Sequence, residues 1–164
     1  MENLRRQYND NVQKFKADFA DCSDFLLKEA ETGGRKCFFA VMDGLVDSLQ
    51  LGQMIMGPVL GAQVEARTPD EQFRQLMRTC VQSVELKEAK TFEDAYYYLM
   101  SGFCVFVLDG CPRAMVMGIQ GWTKRSTDEP ESESNVRGAK ECFVESVNDN
   151  KALLRKRMKT HHLK

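Results

Sequence analysis

Two acidic residues stand where apolar runs end, a position in which catalytic acids often sit. Asp43-Gly44 closes the run Cys37 to Met42, and Asp109-Gly110 closes Phe103 to Leu108. A catalytic acid needs company: a nucleophile with its base, a glycine-rich phosphate loop, or metal ligands at matching spacing. The sequence supplies none of these beside either Asp. Asp-Gly is also a strong turn dipeptide, because Asp bonds its own backbone and Gly turns through positive φ. The turn reading is therefore preferred at both places. The six cysteines, Cys22, Cys37, Cys80, Cys104, Cys111 and Cys142, form no C-x-x-C pair and no zinc spacing. Cys37, Cys80 and Cys104 lie in apolar runs and read as small core residues. His161-His162 has no further ligand at a matching distance. The expectation is a protein without catalytic residues, metal or cofactor.

A second kind of chemistry is ionic. From Asp128 to Asp149 the acids Asp128, Glu129, Glu131, Glu133, Glu141, Glu145 and Asp149 face only Arg137 and Lys140, whereas from Lys151 onward every charged side chain is basic. Arg137-Gly138 separates an acidic loop from a helix. Its guanidinium can hold a carboxylate through two hydrogen bonds, with Glu129, Glu131 and Glu133 as nearby candidates. Arg155-Lys156-Arg157 is open to two readings, a solvated basic tail or a surface for an acidic partner. Trp122 beside Lys124 and Arg125 could stack on a base, but an anchor at the end of a strand is the simpler role. The formal net charge of −1 argues against a general nucleic-acid binder.

These residues need elements to hold them. Leu4, Tyr8, Val12, Phe15, Phe19 and Cys22 recur every three or four positions, so a first amphipathic helix is expected to end near Asp21–Asp24 or run on to Glu29. Gly33-Gly34 breaks the chain. Strand Cys37–Met42 follows, then a helix from Leu45 to Met56 stopped by Gly57-Pro58. Thr68-Pro69-Asp70-Glu71 is a capping box with proline at the first helical position. A strand Cys80–Leu86, a helix capped by Thr91 and ended by Gly102, and a hairpin of Phe103–Leu108 with Ala114–Ile119 come next. The last helix is placed at 140–159, with Phe143, Val147, Leu154 and Met158 on one stripe. The fold class expected is α/β (α+β), a small mixed sheet of about four strands packed with several helices. One domain spans 1–164: a strand and helix body 1–121, an acidic loop 122–139 and the C-terminal helix. Met1 leads straight into polar residues, so no signal peptide and a reducing, cytoplasmic setting are expected. No apolar run approaches the ~18 residues that span a bilayer.

Several segments together resemble the N-terminal soluble domain of the GerA family, the A subunits of spore germinant receptors. The resemblance rests on Gly121, Trp122 and Arg125, then Glu129, Pro130 and Glu133. It continues through Arg137, Gly138, Lys140, Glu141, Phe143, Glu145, Ser146 and Asn150, and ends on Leu153, Leu154, Arg155 and Arg157. Upstream, Asp43-Gly44-Leu45-Val46-Asp47, Ser101-Gly102 and Asp109-Gly110 are similar to the family's strand exits. Ala139 and Cys142 depart from the pattern, standing where the family has Pro and Gly. The resemblance implies the first soluble subdomain of a larger subunit, with membrane helices elsewhere in its own chain. It implies a receptor in the spore inner membrane, with this domain on the cytoplasmic, core side. The implied partners are B- and C-type subunits and further copies of the A subunit, with no nucleic acid among them. The implied function is receptor assembly and signal transduction or gating in nutrient-triggered germination. Two alternatives stand beside it: a module binding a nutrient or ion in a cleft between the Asp43-Gly44 and Asp109-Gly110 strand ends, and the paralogous SpoVA-associated spore membrane protein.

Overall fold

The computed structural model describes residues 1–79, 81, 83, 85–121 and 146–158, with the backbone alone at 148 and 149. Helix α1 (Tyr8–Asp18) is followed by the strands β1 (Phe25–Thr32) and β2 (Arg35–Met42). A helical stretch then passes through α2 (Ser48–Gln50), a π-helical Leu51–Met56 and α3 (Gly57–Leu60). Next come α4 (Pro69–Thr79), β3 (Leu86–Ala89), α5 (Phe92–Leu99), β4 (Phe103–Leu108), β5 (Ala114–Gly118) and α6 (Val147–Met158). The five strands form one sheet in the order β1-β2-β4-β5-β3. The α+β class and the approximate strand count are as expected; every neighbouring pair is antiparallel, so the sheet is not mixed.

Helices cover both faces of this sheet, which explains the continuous apolar runs. Alternate residues of one strand feed two separate cores. Phe38, Ala40 and Met42 of β2 pack with α1 and α5, while Cys37, Phe39 and Val41 pack with Ile55, Val59, Phe73 and Leu76 on the other side. A strand buried on both faces has no polar alternation to show. Phe15 sits at the centre of the first core, edge-on to Phe38 at 5.2 Å and to Tyr96 at 5.1 Å between ring centroids, an arrangement favoured by the aromatic quadrupoles.

Three sequence expectations are corrected, and the break read at Gly33-Gly34 takes a defined form. The first helix does not run on to Glu29: it stops at Asp18, and Phe25 onward is strand β1. Gly33 and Gly34, at φ 53° and 74°, form a two-residue turn that pairs Thr32 with Arg35. Two successive positive φ values are the requirement of a type I′ hairpin. Gly57-Pro58 does not stop the second helix. The Gly57 amide donates to the Gly52 carbonyl in π-helical register, and Pro58 opens the next turn, where a missing N–H costs nothing. Strand β3 lies at Leu86–Ala89 rather than 80–86, pairing as an edge strand with β5. The capping box is present as read: Thr68 Oγ1 accepts from the Glu71 amide at 3.2 Å, and Glu71 Oε2 accepts from the Thr68 amide at 3.1 Å.

Candidate functional site

Antiparallel pairing decides where the two Asp-Gly turns go. Cys37 of β2 lies opposite Leu108 of β4, so Asp109 is beside the start of β2 and Asp43 is beyond its end. Asp109 lies beside Lys36, its amide donating to the Lys36 carbonyl; Asp43 is seven positions further on, which at ~3.4 Å per residue puts about 24 Å between them. The two turns occupy opposite ends of the sheet, so among the described residues they do not border a common cleft.

Instead, segments far apart in sequence converge at the end marked by Asp43. Asp43 Oδ1 accepts from the Gly44 amide at 3.0 Å, and Gly44 takes φ 79°. This bond closes a local turn. The chain then pairs with the exit of β5 through an antiparallel bridge, Val46 with Gln120. The Asp47 amide donates to the Ile119 carbonyl at 3.0 Å, and the Gly121 amide donates to the Leu45 carbonyl at 3.3 Å. Asp47 Oδ1 also caps the next helix, accepting from the Leu49 and Gln50 amides at 3.0 Å each. Gly121 crosses this cap so closely that a Cβ there would lie 2.3 Å from Asp47 Cβ and 2.5 Å from its amide nitrogen. Only glycine fits such an approach. Gln120 in turn donates through Nε2 to the Ser101 carbonyl at 3.0 Å, so the turn before β4 joins the cluster.

Helix α6 returns to the same end. Arg155 forms a bidentate pair with Asp24, Nε to Oδ2 at 2.8 Å and Nη2 to Oδ1 at 2.7 Å. The two side chains are 3% and 9% exposed. Burial by itself would lower the Arg155 pKa, but hydrogen bonds with Asp24 and Cys22 hold it above its ordinary value. Lys151 Nζ adds a bond to Ser23 Oγ at 3.1 Å, and the Asp43 amide donates to the Asp24 carbonyl at 2.7 Å. Arg155 is thus an internal anchor and does not belong to a solvated tail; Lys156 and Arg157 are exposed. The expected apolar stripe is also corrected. Val147 and Met158 are 66% and 54% exposed, because the side of α6 facing the body carries Lys151, Ala152 and Arg155.

The opposite end is built for packing. Asp109 Oδ1 accepts from the Tyr8 amide at the start of α1, and the Gly110 amide donates to the Arg6 carbonyl at 2.9 Å. A Cβ on Gly110 would meet Pro69 Cγ at 2.6 Å. A cavity of about 460 Å³ opens nearby, lined by Gln7, Tyr8, Glu31, Arg35, Lys36 and Asp109 among others. Glu31 and Lys36 are exposed there, so the cavity has a solvated rim. Among the described residues no group of three metal-ligating side chains converges. Burial pushes the Cys37 thiol up to about 12 and the Cys111 thiol up to about 11, far from the range of a reactive thiolate.

Of the residues singled out in the sequence, Trp122, Arg125, Glu129, Pro130, Glu133, Arg137, Gly138, Phe143 and Glu145 lie outside the described residues, as does the start of the last helix at 140. Asn150 is on α6, its amide bonded to the Ser146 carbonyl at 3.1 Å. Sequence reasoning missed Asp24. It is an ordinary helix-end acid until a partner 131 positions away buries it.

The chain matches the family model described as Bacillus/Clostridium GerA spore germination protein over residues 13–164. It is 32% identical over 145 residues to the uncharacterized membrane protein YfkQ of Bacillus subtilis, covering 87% of this chain and 28% of that protein. It is 25% identical over 156 residues to the spore germination protein KA of the same organism, covering 93% of this chain and 28% of that one. It therefore spans under a third of the length of these relatives. Among solved structures it resembles the N-terminal domain of the A subunit of the Bacillus megaterium spore germinant receptor GerK3, with a TM-score of 0.67 and 20% identity. That likeness covers 98% of this chain and 58% of the other, and it establishes a shared fold. Among the described residues no helix is long and apolar enough to cross a membrane.

Proposed function

The chain belongs to the GerA spore germination protein family, and from that premise we propose that it is an N-terminal domain of a germinant-receptor A subunit that assembles the receptor and relays its signal. The observation that carries this reading is the convergence at one sheet end. Gly121 is clamped on Asp47, and Arg155 is clamped on Asp24. These contacts gather the Asp43–Asp47 turn, the exit of β5 and α6 into one ionic and backbone-bonded junction. Such a junction fixes geometry between segments. Fixed geometry between segments is what a mechanical, signal-relaying role requires.

In this proposal the domain stands on the core side of the spore inner membrane. Its partners are B- and C-type subunits, further A subunits and the membrane helices of its own chain. Arg137 and the acidic residues Glu129 and Glu133 are proposed to extend the junction toward those partners. The test is made in spores of the source organism carrying Gly121→Val or Arg137→Ala in the full-length gene. Nutrient-triggered loss of refractility should slow at least tenfold, and the variant subunit should recover less of its partners from solubilised inner membrane. Unaltered germination and unaltered recovery with both substitutions would refute the proposal. A thermal-shift screen of amino acids, sugars, nucleosides and ions against this chain tests the binding alternative, which requires a saturable rise in Tm.

A further inference from the structure

We propose that α6 is a releasable strap, held to the body by the Asp24–Arg155 ion pair and able to detach while the sheet and its other helices stay folded. The inference comes from how differently α6 is attached. Each long helix of the body buries large apolar side chains at zero to 1% exposure: Phe15 on α1, Phe73 and Leu76 on α4, Phe92 and Leu99 on α5. None of the described side chains of α6 reaches that depth; the most buried is Arg155, at 3%. Ala152 packs against the core, and Leu153 and Leu154 are partly covered. Val147 and Met158, at its two ends, face solvent.

A helix seated through an ion pair responds to different perturbations from one seated through a hydrophobic stripe. Removing one partner of a buried pair leaves the other charged and desolvated. That penalty exists only while α6 remains docked. If α6 can lift away, Arg155 returns to water and the penalty vanishes, so the cost to the whole fold cannot exceed the free energy of docking. A strap therefore predicts a ceiling. Asp24→Asn and Arg155→Met should each reach it, and the double variant should add nothing further. A helix that is integral to the cooperative fold predicts no ceiling and a matching loss throughout the sheet.

Amide hydrogen exchange of this chain, followed at peptide resolution through a urea series below the unfolding transition, tests the proposal. In the unsubstituted protein the amides of 147–158 should exchange through an opening with a smaller urea dependence than those of β2 and β4. In Asp24→Asn their exchange should rise by on the order of 100-fold, while β2 and β4 change by less than about threefold if the opening stays local. Two outcomes would overturn it: α6 stays protected in Asp24→Asn, or α6 and the central strands lose protection by the same factor. If Asp24→Asn does not fold, the urea series on the unsubstituted protein decides alone. A common urea dependence for α6 and β2 then overturns the strap.

Discussion

Gly121→Ala isolates the close approach at the β5 exit. The added Cβ would lie 2.3 Å from Asp47 Cβ, 2.5 Å from its amide nitrogen and 2.6 Å from its Cα. Carbon atoms in contact prefer about 3.5–4.0 Å, so the two backbones must part by more than 1 Å. No rotamer change can relieve this, because two of the three atoms belong to backbone. Parting them loosens the Asp47-to-Ile119 bond at 3.0 Å and the Gly121-to-Leu45 bond at 3.3 Å, worth about 0.5–1.5 kcal/mol each. Adding about 1–3 kcal/mol for the overpacking itself, and allowing for relaxation, the expected loss is about 2–4 kcal/mol. Urea unfolding followed by far-ultraviolet circular dichroism should show a lower midpoint with an unchanged slope. Two glycines serve as controls. Gly52→Ala has nothing within 4 Å and lies in a helical stretch, so it should stabilise by about 0.4–1 kcal/mol. Gly34→Ala also has open space but sits at φ 74°, so it should cost about 1–2 kcal/mol through conformation alone. If Gly121→Ala changed stability by no more than Gly34→Ala, the steric reasoning at the junction would be wrong.

Three further outcomes follow from the rest of the molecule. Phe15→Ala removes the centre of the aromatic cluster and should cost about 3–5 kcal/mol, read as a midpoint shift in the same assay; a loss below 1 kcal/mol would contradict its burial. Backbone amides of Thr68 and Arg67 hold the Glu71 pKa below its usual value. A depressed folded pKa gives stability that is complete above the unfolded value, about 4.3, and is lost as pH falls through the folded one. Glu71→Gln should therefore flatten part of the decline in urea midpoint below pH 4.5, and an unchanged profile would count against the capping box. Cys37, Cys104 and Cys111 are buried with raised pKa values. Iodoacetamide should label them only after denaturation, and rapid native labelling of Cys104 by peptide mass spectrometry would contradict its placement between two helical layers.

How much of this was legible in the sequence depended on how local each cause is. The Thr68–Glu71 box and the Thr91 cap are settled within four residues, so their signals survive without a structure. β2 and β4 were legible because burial on both faces compresses into continuous apolar runs. β1 was not, since Phe25-Leu26-Leu27-Lys28-Glu29-Ala30 continues the spacing of α1 and is rich in helix formers. What makes it a strand is the Gly33-Gly34 turn and the eight-residue register with β2, a tertiary choice overriding a local one. The same logic governs the junction. The Asp43–Asp47 and Gly121 segments could each be picked out, but nothing in either predicts that they meet, because their bond is a steric fit between backbones 74 positions apart. Asp24 carried no signal at all. An ion pair buried by long-range packing converts an unremarkable surface acid into the residue on which a whole helix depends, and pattern reading sees only the acid. Arg155 had the opposite fate, its buried role hidden beside Lys156 and Arg157, which are exposed. The strap experiment therefore measures a connection that sequence periodicity misassigns: α6 has an apolar stripe on paper, but its most buried described side chain is the charged Arg155.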